Sequence, residues 1–512
     1  MVRRLAFSSL VVLLAGCAVG PTYRRPAAPV PAAYKESAAP APAAGDWKAA
    51  QPRDDASRGN WWEVFGDPAL DALEEQVDVS NQTVAQAEAA FRGARALARG
   101  ARANLLPAVG TSPSVTRSSG TATRSSSTPG VPVSTVTTYS LPVDLSWELD
   151  VFGGIRRGLE AGVAGAQASA ADLAGARLAM QAELAADYFA LHGLDAETQL
   201  LDATVAGYQK ALELTTGLFN QGVVSEIDVV QAQTQLETTR AQATDLAIAR
   251  AQIEHAIAVL VGKPPAEFAI APQPILVPPP EIPAGLPSEL LERRPDIAAA
   301  ERRVAAANAE IGVARAAYFP TLTLSGAAGY QSSTLTKFFS LPNRFWSLGP
   351  ALAETLFNGG KRRAGMEQAL AAYDASVAAY RESVLTSFQQ VEDNLAALRI
   401  LDVEAGQQAA AVAAARRSLA MAKNQYEAGV TTYLQVITAQ NVALANESGA
   451  VTLLTRRMTA SVNLIAALGG GWRESELPSR SAVLSRVTTP TPATPTPATP
   501  PPGAATAGAG PH

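Results

Sequence analysis

The sequence predicts an elongated membrane α+β protein. Long helical hairpins alternate with short runs of strand, and the strands close into a barrel only when copies of the chain assemble. Three observations lead there. A helical segment from Phe152 to Gly262 is matched by a second from Phe357 to Gly469. Between helical parts the apolar period switches from helical to about two. The chain also starts with a short apolar leader that ends in its single cysteine, Cys17.

The helical segments set the organisation. Each opens on an aromatic-glycine corner, Phe152-Gly153-Gly154-Ile155-Arg156-Arg157 and Phe357-Asn358-Gly359-Gly360-Lys361-Arg362-Arg363. Each then runs roughly 65 residues without proline, enough for one helix of about 100 Å at 1.5 Å per residue. Each breaks once, at Gly222-Val223-Val224-Ser225-Glu226-Ile227-Asp228 and at Gly429-Val430-Thr431-Thr432-Tyr433-Leu434-Gln435. The offset is 207 in both places where it can be read (222 to 429, 262 to 469). This pattern is that of an internal duplication. Glycine is the usual residue just past a helix end, and Ser225 and Thr432 follow as N-caps, with Asp228 and Gln435 three residues on. Two antiparallel hairpins with tight tips follow from that reading. Val377, Tyr380, Val384, Phe388, Val391, Leu395 and Leu398 step by three or four, as do Leu201, Val205, Tyr208 and Leu212. These narrow stripes are coiled-coil seams, and the abundant alanine lets helices approach closely.

In chain order, Met1-Val2-Arg3-Arg4 is a basic start and Leu5 to Leu14 an apolar stretch, followed by Leu14-Ala15-Gly16-Cys17. Residues 1–16 read as a signal peptide, too short to span a membrane. The ending resembles a bacterial lipobox, which implies cleavage before Cys17 and lipid on its thiol. Several acyl chains would give stable anchoring, and Ala18 in place of Asp favours the outer membrane by the same resemblance. Residues 17–60 are a Pro/Ala-rich tether or strap. The first repeat, 61–262, holds a helix, two strands at about 105–117 and 134–150, and the hairpin 154–262. Tyr139, Leu141, Val143, Leu145, Trp147 and Leu149 alternate with Ser140, Pro142, Asp144, Ser146, Glu148 and Asp150. Such alternation suits a membrane barrel strand, apolar outward and polar inward. Ser118 to Pro132 reads as an exposed loop. A Pro-rich linker spans 263–287. The second repeat, 288–472, repeats the plan, with strands at about 320–331 and 343–355 and the hairpin 360–469. The tail 473–512 is rich in Thr, Pro and Ala and is expected to be disordered.

Four strands are too few to close a barrel, and an open edge is not tolerated in lipid. A lumen wide enough for solutes takes a dozen or so strands, the number three chains would supply. No run of 18 or more apolar residues occurs, so membrane-spanning helices are excluded.

The set Trp61-Trp62-x-x-Phe65-x-Asp67-Pro68, the two tips, Leu286-Pro287-Ser288-Glu289-Leu290-Leu291-Glu292-Arg293-Arg294-Pro295-Asp296-Ile297, Tyr318-Phe319-Pro320 and Ala466-Ala467-Leu468-Gly469-Gly470-Gly471-Trp472 resembles TolC-like outer membrane efflux proteins of the NodT lipoprotein branch. The likeness covers about residues 17 to 473. It implies a homotrimer with a twelve-stranded outer-membrane barrel and a periplasmic α-helical barrel, coupled to a periplasmic adaptor and an inner-membrane RND transporter. On that resemblance Gly222, Val223, Ser225, Gly429, Val430, Thr431 and Thr432 are adaptor-docking candidates. For the glycines and caps, plain turn chemistry explains the same residues. Leu419, Lys423 and Tyr426 are gate candidates, with Lys423 standing where relatives commonly carry an acid. A lysine ring would make the constriction cationic; a solvent-facing coiled-coil lysine is the other reading. Arg293 and Arg294 are read as structural, paired with nearby acids.

Composition limits the alternatives. The 512 residues carry a formal charge of −5, with 47% hydrophobic content and one cysteine, which gives no hint of nucleic acid and no disulfide framework. Gly262-Lys263 lacks the rest of a phosphate loop. His192, His255 and His512 are not in metal-ligand spacing, and one Cys with five scattered Met suggests no metal relay. No enzyme and no cofactor beyond the Cys17 lipid is expected. The channel of a type I protein-secretion system and a non-conducting periplasmic coiled-coil scaffold are the alternatives; an adaptor's identity separates the first, conductance the second.

Overall fold

A computed structural model describes residues 18–36, 60–119, 135–274, 278–280, 282 and 287–485. The leader with Cys17, the stretch 37–59, the loop 120–134 and the tail from 486 lie outside the described residues.

Local chemistry starts the first helices. Asp67 caps α1 (Pro68–Ser80), its carboxylate accepting from the Ala69 N–H at 2.9 Å, with Pro68 at the first helical position. Asn81 caps α2 (Gln82–Ala103) by accepting from Thr83 and Val84 N–H. The chain then forms β1 (Ala108–Thr111), β2 (Ser114–Ser119) and β3 (Thr135–Leu149); its second half adds β4 (Thr321–Ser332) and β5 (Arg344–Ala353). All pairings are antiparallel, and β1 and β2 lie end to end along β3, so the described strands fill four positions: β1/β2, β3, β4, β5. The single strand expected over 105–117 is therefore split at Ser112-Pro113. Pro113 has no N–H for the ladder, so pairing stops there and resumes at Ser114.

The long helices are α3 (Gly154–Asn220), α4 (Glu226–Leu260), α6 (Lys361–Glu427) and α7 (Tyr433–Ala467), with α5 (Pro295–Ala316) before the second pair of strands and α8 (Arg480–Leu484) at the end. Both α3 and α6 have 67 residues, and both α4 and α7 have 35. On the side of the strands, helices pack in the order α2, α3, α5, α6; on the side of the tips, in the order α4, α3, α7, α6. Since α4 and α7 are about half as long as their partners, the two rows meet near the middle, where the core thickens. There Trp61, Trp62 and Leu70 pack with Tyr188, Leu191, Ile257 and Val462. A second cluster sets the α6 seam, Tyr380, Val384, Phe388 and Val391, against Ile297 and Val304 of α5.

Residues 18–36 form a strap along this body. The Val19 N–H donates to the Phe152 carbonyl at 3.0 Å, the Tyr23 hydroxyl bonds Glu301, and Tyr34 is buried in the second cluster. The Lys35 and Glu36 N–H groups donate to Glu392 at 2.7 and 2.9 Å, and Glu36 pairs with Arg399 at 2.6 Å. No helix among the described residues is long and apolar enough to cross a membrane.

Candidate functional site

Two parts of the molecule are built for contact with other matter: the sheet face and the hairpin tips.

The register of the sheet makes one face apolar. Leu141, Val143, Leu145, Trp147 and Leu149 of β3 stand beside Tyr330, Ala328, Gly326, Leu324 and Leu322 of β4. These stand beside Arg344, Trp346, Leu348, Pro350 and Leu352 of β5. Trp346 is 76% exposed, Leu348 65% and Leu352 70%, an apolar surface left open among the described residues. The opposite face carries Ser140, Asp144, Ser146, Glu148, Thr323, Ser325 and Gln331. Aromatic residues mark both ends: Tyr330 meets Phe339 at 5.4 Å, while at the helical end Phe152 stacks on Phe319 at 4.7 Å and the Trp147 indole donates to the Leu105 carbonyl at 3.0 Å. An apolar band between aromatic ends is what a lipid layer selects.

At both tips the long helix closes in the same way. The Val223 N–H reaches the Leu218 carbonyl and the Gly222 N–H the Phe219 carbonyl, each at 2.9 Å. Val430 with Gln425 and Gly429 with Tyr426 repeat the pair, again at 2.9 Å. This pair of hydrogen bonds requires left-handed backbone at the residue just past the helix, and Gly222 and Gly429 have φ of 71° and 68°. The next helix starts differently at each tip. Ser225 donates its N–H and hydroxyl to the Asp228 carboxylate at 3.3 and 3.2 Å. Thr432 makes no side-chain cap, which corrects the expectation of a second cap with Gln435. The first turn of α7 holds no acid, whereas that of α4 holds Glu226 and Asp228. The second tip is held instead by Tyr426 and Tyr433, 5.2 Å apart, packed with Ala232 and Val436 and flanked by Leu212, Leu218 and Val224. Burial pushes the Tyr433 hydroxyl up to about 12 and raises that of Tyr426, so both stay neutral and packed through the physiological range.

The docking candidates fall on the outside of these turns. Val223 is 66% exposed and Val430 76%, apolar side chains presented at the far end of the body. Gly222, Ser225, Gly429 and Thr432 are exposed, and Thr431 is half-buried. The gate candidates part company. Lys423 is exposed, Leu419 half-buried, and Tyr426 sits inside the tip cluster. Arg294 pairs with Asp296 at 2.7 Å and donates to the Ala467 carbonyl at 2.9 Å, and Arg293 pairs with Glu289 at 3.1 Å. Cys17 lies outside the described residues, but its neighbour Ala18 touches the Gly153 corner where β3 passes into α3.

Two polar assemblies escape sequence reasoning. The acids that hold the strap, Glu301 and Glu392, are ordinary helix residues by pattern. His192, read as an ordinary helix residue, is buried with Nδ1 3.2 Å from Asp195. Asp195 also accepts from Arg250 at 2.7 Å and from the Gln273 N–H at 2.9 Å, and Arg250 donates to the Ile270 carbonyl at 2.8 Å. This network ties the linker between the halves onto α3 and α4. Its only signal in the sequence is a His, an Asp and an Arg on seams otherwise apolar.

Known proteins share this architecture. The family model for outer membrane efflux protein matches residues 73–263 and 286–470. The probable efflux pump outer membrane protein SepC of Pseudomonas putida is 33% identical over 469 residues, 91% of this chain and 96% of that protein. Outer membrane protein OprJ of Pseudomonas aeruginosa is 32% identical over 494 residues, 94% of this chain and 99% of that one. Among solved structures, the outer-membrane channel OprN superposes with a TM-score of 0.79 at 32% identity, covering 89% of this chain and all of that one. CusC gives 0.78 at 26%, covering 88% of this chain. The chain belongs to the outer membrane efflux protein family.

Proposed function

We propose that this chain is the exit duct of a tripartite, RND-type efflux system, passing small molecules from an inner-membrane pump and a periplasmic adaptor across the outer membrane. The observation that carries the reading is one continuous body: a sheet with an apolar face and two edges unpaired among the described residues, joined to two 67-residue helices followed by turns with exposed valines. A helix of that length spans about 100 Å, which suits a conduit through the periplasm rather than a membrane plug.

A homotrimer accounts for the sheet. Its edges, β1/β2 and β5, run in opposite directions, so β5 of one copy pairs antiparallel with β1/β2 of the next, and three copies close twelve strand positions around a lumen. Matching helix lengths and tip glycines support an internal duplication. A lipid on Cys17 would enter the membrane beside the Phe152-Phe319 stack, since Ala18 already touches Gly153. Val223, Val430 and the residues around them offer the adaptor an apolar landing at each tip. Exposed Lys423, repeated by symmetry, would give the periplasmic end a cationic ring.

In-cell photo-crosslinking from Thr431 and Ser225, with capture identified by mass spectrometry, tests this. An RND-system adaptor is the expected product. An adaptor of an ABC exporter would move the assignment to protein secretion, and capture of neither by a correctly localised protein would end the docked-tip model.

A further inference from the structure

The row α2, α3, α5, α6 leaves α2 and α6 at its two ends, α2 leading into the edge strand β1 and α6 following the edge strand β5. Both end helices turn an unused face of small residues outward. On α2 these are Ala85, Ala89, Gly93, Ala96, Gly100 and Ala103, all exposed, and a side chain added at Gly93 or Gly100 would meet nothing within 4 Å. On α6 they are Ala364, Ala371, Ala375 and Ala378, also exposed. Faces of this kind let two helix backbones approach closely, but alone they do not say what approaches.

Charge does. Along one flank of the α2 face run Arg92, Arg95, Arg99 and Arg102, recurring every three or four residues on one stripe. Arg95 is used within the chain, donating to the Ala482 carbonyl at 2.8 Å. Arg92 and Arg102 have no ion-pair partner among the described residues, and the buried Nη1 of half-buried Arg99 has no hydrogen-bond partner there. Along the flank of the α6 face run Glu367 and Asp374, one heptad apart and exposed, while exposed Glu382 lies within the face itself. Glu367 has a solvent-exposed pair with Arg363 at 2.9 Å; Asp374 and Glu382 have none among the described residues.

The heights agree. Helix α2 runs up to the strands and α6 runs down from them, so they would meet antiparallel. At 1.5 Å per residue, Arg99 and Arg92 lie about 6 and 17 Å below the top of α2, while Glu367 and Asp374 lie about 9 and 20 Å below the top of α6. Each pair matches to within one helical turn. The flanks agree too: Arg95 faces the outer helix α8, and Arg381, on the acidic flank of α6, donates to the strap at Ala27. Both stripes therefore lie on the side of the body that carries the appended segments.

We propose that Arg92 and Arg99 on α2 of one copy pair with Asp374 and Glu367 on α6 of the next, sealing the outer rim of an alanine-glycine seam and fixing its vertical register. This rests on the ring of copies proposed above. The occupant of the α2 face is thus a second copy of this chain, through its α6 edge. A ladder of this kind specifies which edge meets which and at what height, the task electrostatic complementarity performs best at an interface.

The test uses the full chain, purified in detergent. The wild-type mass is measured first, and a species other than a trimer would sink the ring reading itself. Given a trimer, Arg92→Glu with Arg99→Glu is expected to disassemble at least about tenfold faster than wild type at low salt, less so near 0.5 M salt where charges are screened. Glu367→Arg with Asp374→Arg, added to the same chain, is expected to restore the wild-type rate. A double variant that disassembles like wild type, or a quadruple variant that is not rescued, overturns the ladder and leaves the trimer standing. Because a charge-swapped chain could fail to fold, a photo-crosslinking residue at Ala96 in otherwise wild-type protein gives an independent readout. Crosslinks to residues 364–378 of another copy are expected, and crosslinks confined to other helices refute the proposal.

Discussion

The two hairpin tips share a frame and differ in their fastening. Both end a 67-residue helix, both turn on a glycine with positive φ, and both place a valine outermost. The first tip is then closed by a polar lock, Ser225 with Asp228, near the surface. The second is closed by an aromatic lock, Tyr426 against Tyr433, inside a cluster that reaches across to Leu212 and Leu218 of the first hairpin. Backbone geometry is thus common to the two, while the attachment of each tip to its surroundings is not. The polar lock is local to one turn. The aromatic lock couples one hairpin to the other.

That contrast can be broken in order of size. Tyr433→Ala removes most of the second cluster and is expected to cost about 2–4 kcal/mol locally. Hydrogen exchange should rise over residues 425–436 and spread to Leu212, Leu218 and Val224, while the first turn of α4, closed by Ser225 and Asp228, keeps its protection. Gly222→Val and Gly429→Val each force a branched side chain into left-handed backbone and should cost about 1–2 kcal/mol. Here the two tips should respond alike, because here they are alike. Ser225→Ala should cost about 1 kcal/mol at the first tip, and Thr432→Ala close to nothing at the second, since Thr432 caps nothing. Equal losses at both would show that the second tip is capped after all.

A separate effect is one of pH. An unfolded tyrosine ionises near 10, while burial holds folded Tyr433 up at about 12. The folded tip therefore keeps its proton where the unfolded chain loses it, and stability falls as pH rises from about 10 to about 12. Once the base-catalysed intrinsic rate is divided out, opening at residues 425–436 should increase in that window, and Tyr433→Phe should reduce the increase, with Tyr426 supplying the remainder.

The sequence already carried the architecture. Tip glycines, the stripe Tyr380-Val384-Phe388-Val391 and the alternation Tyr139–Leu149 are local, periodic signals, and each fell where its period placed it. The split at Ser112-Pro113 escapes that reading, and a proline alone does not mark one, since Pro142 and Pro350 lie inside unbroken strands of the same sheet. What stayed hidden was long-range. Thr432 has the chemistry of a cap, but the α7 start is fixed by Tyr433 packing against groups two hundred residues away in Leu212 and Leu218, which no local pattern encodes. The strap's grip on Glu301 and Glu392 spans 278 and 357 residues, and the Asp195 network on the linker spans 55 and 78, all beyond the reach of a local pattern.

The central claim is that copies of this chain close into a duct whose far end is held by its tips. Planar-bilayer recording of the full chain tests it most directly, comparing wild type with Tyr433→Ala. The account predicts discrete, small conductance steps for wild type and larger or more frequent openings for the variant. Membranes that stay silent for both, despite inserted protein of trimer mass, would contradict it and leave a scaffold without a pore.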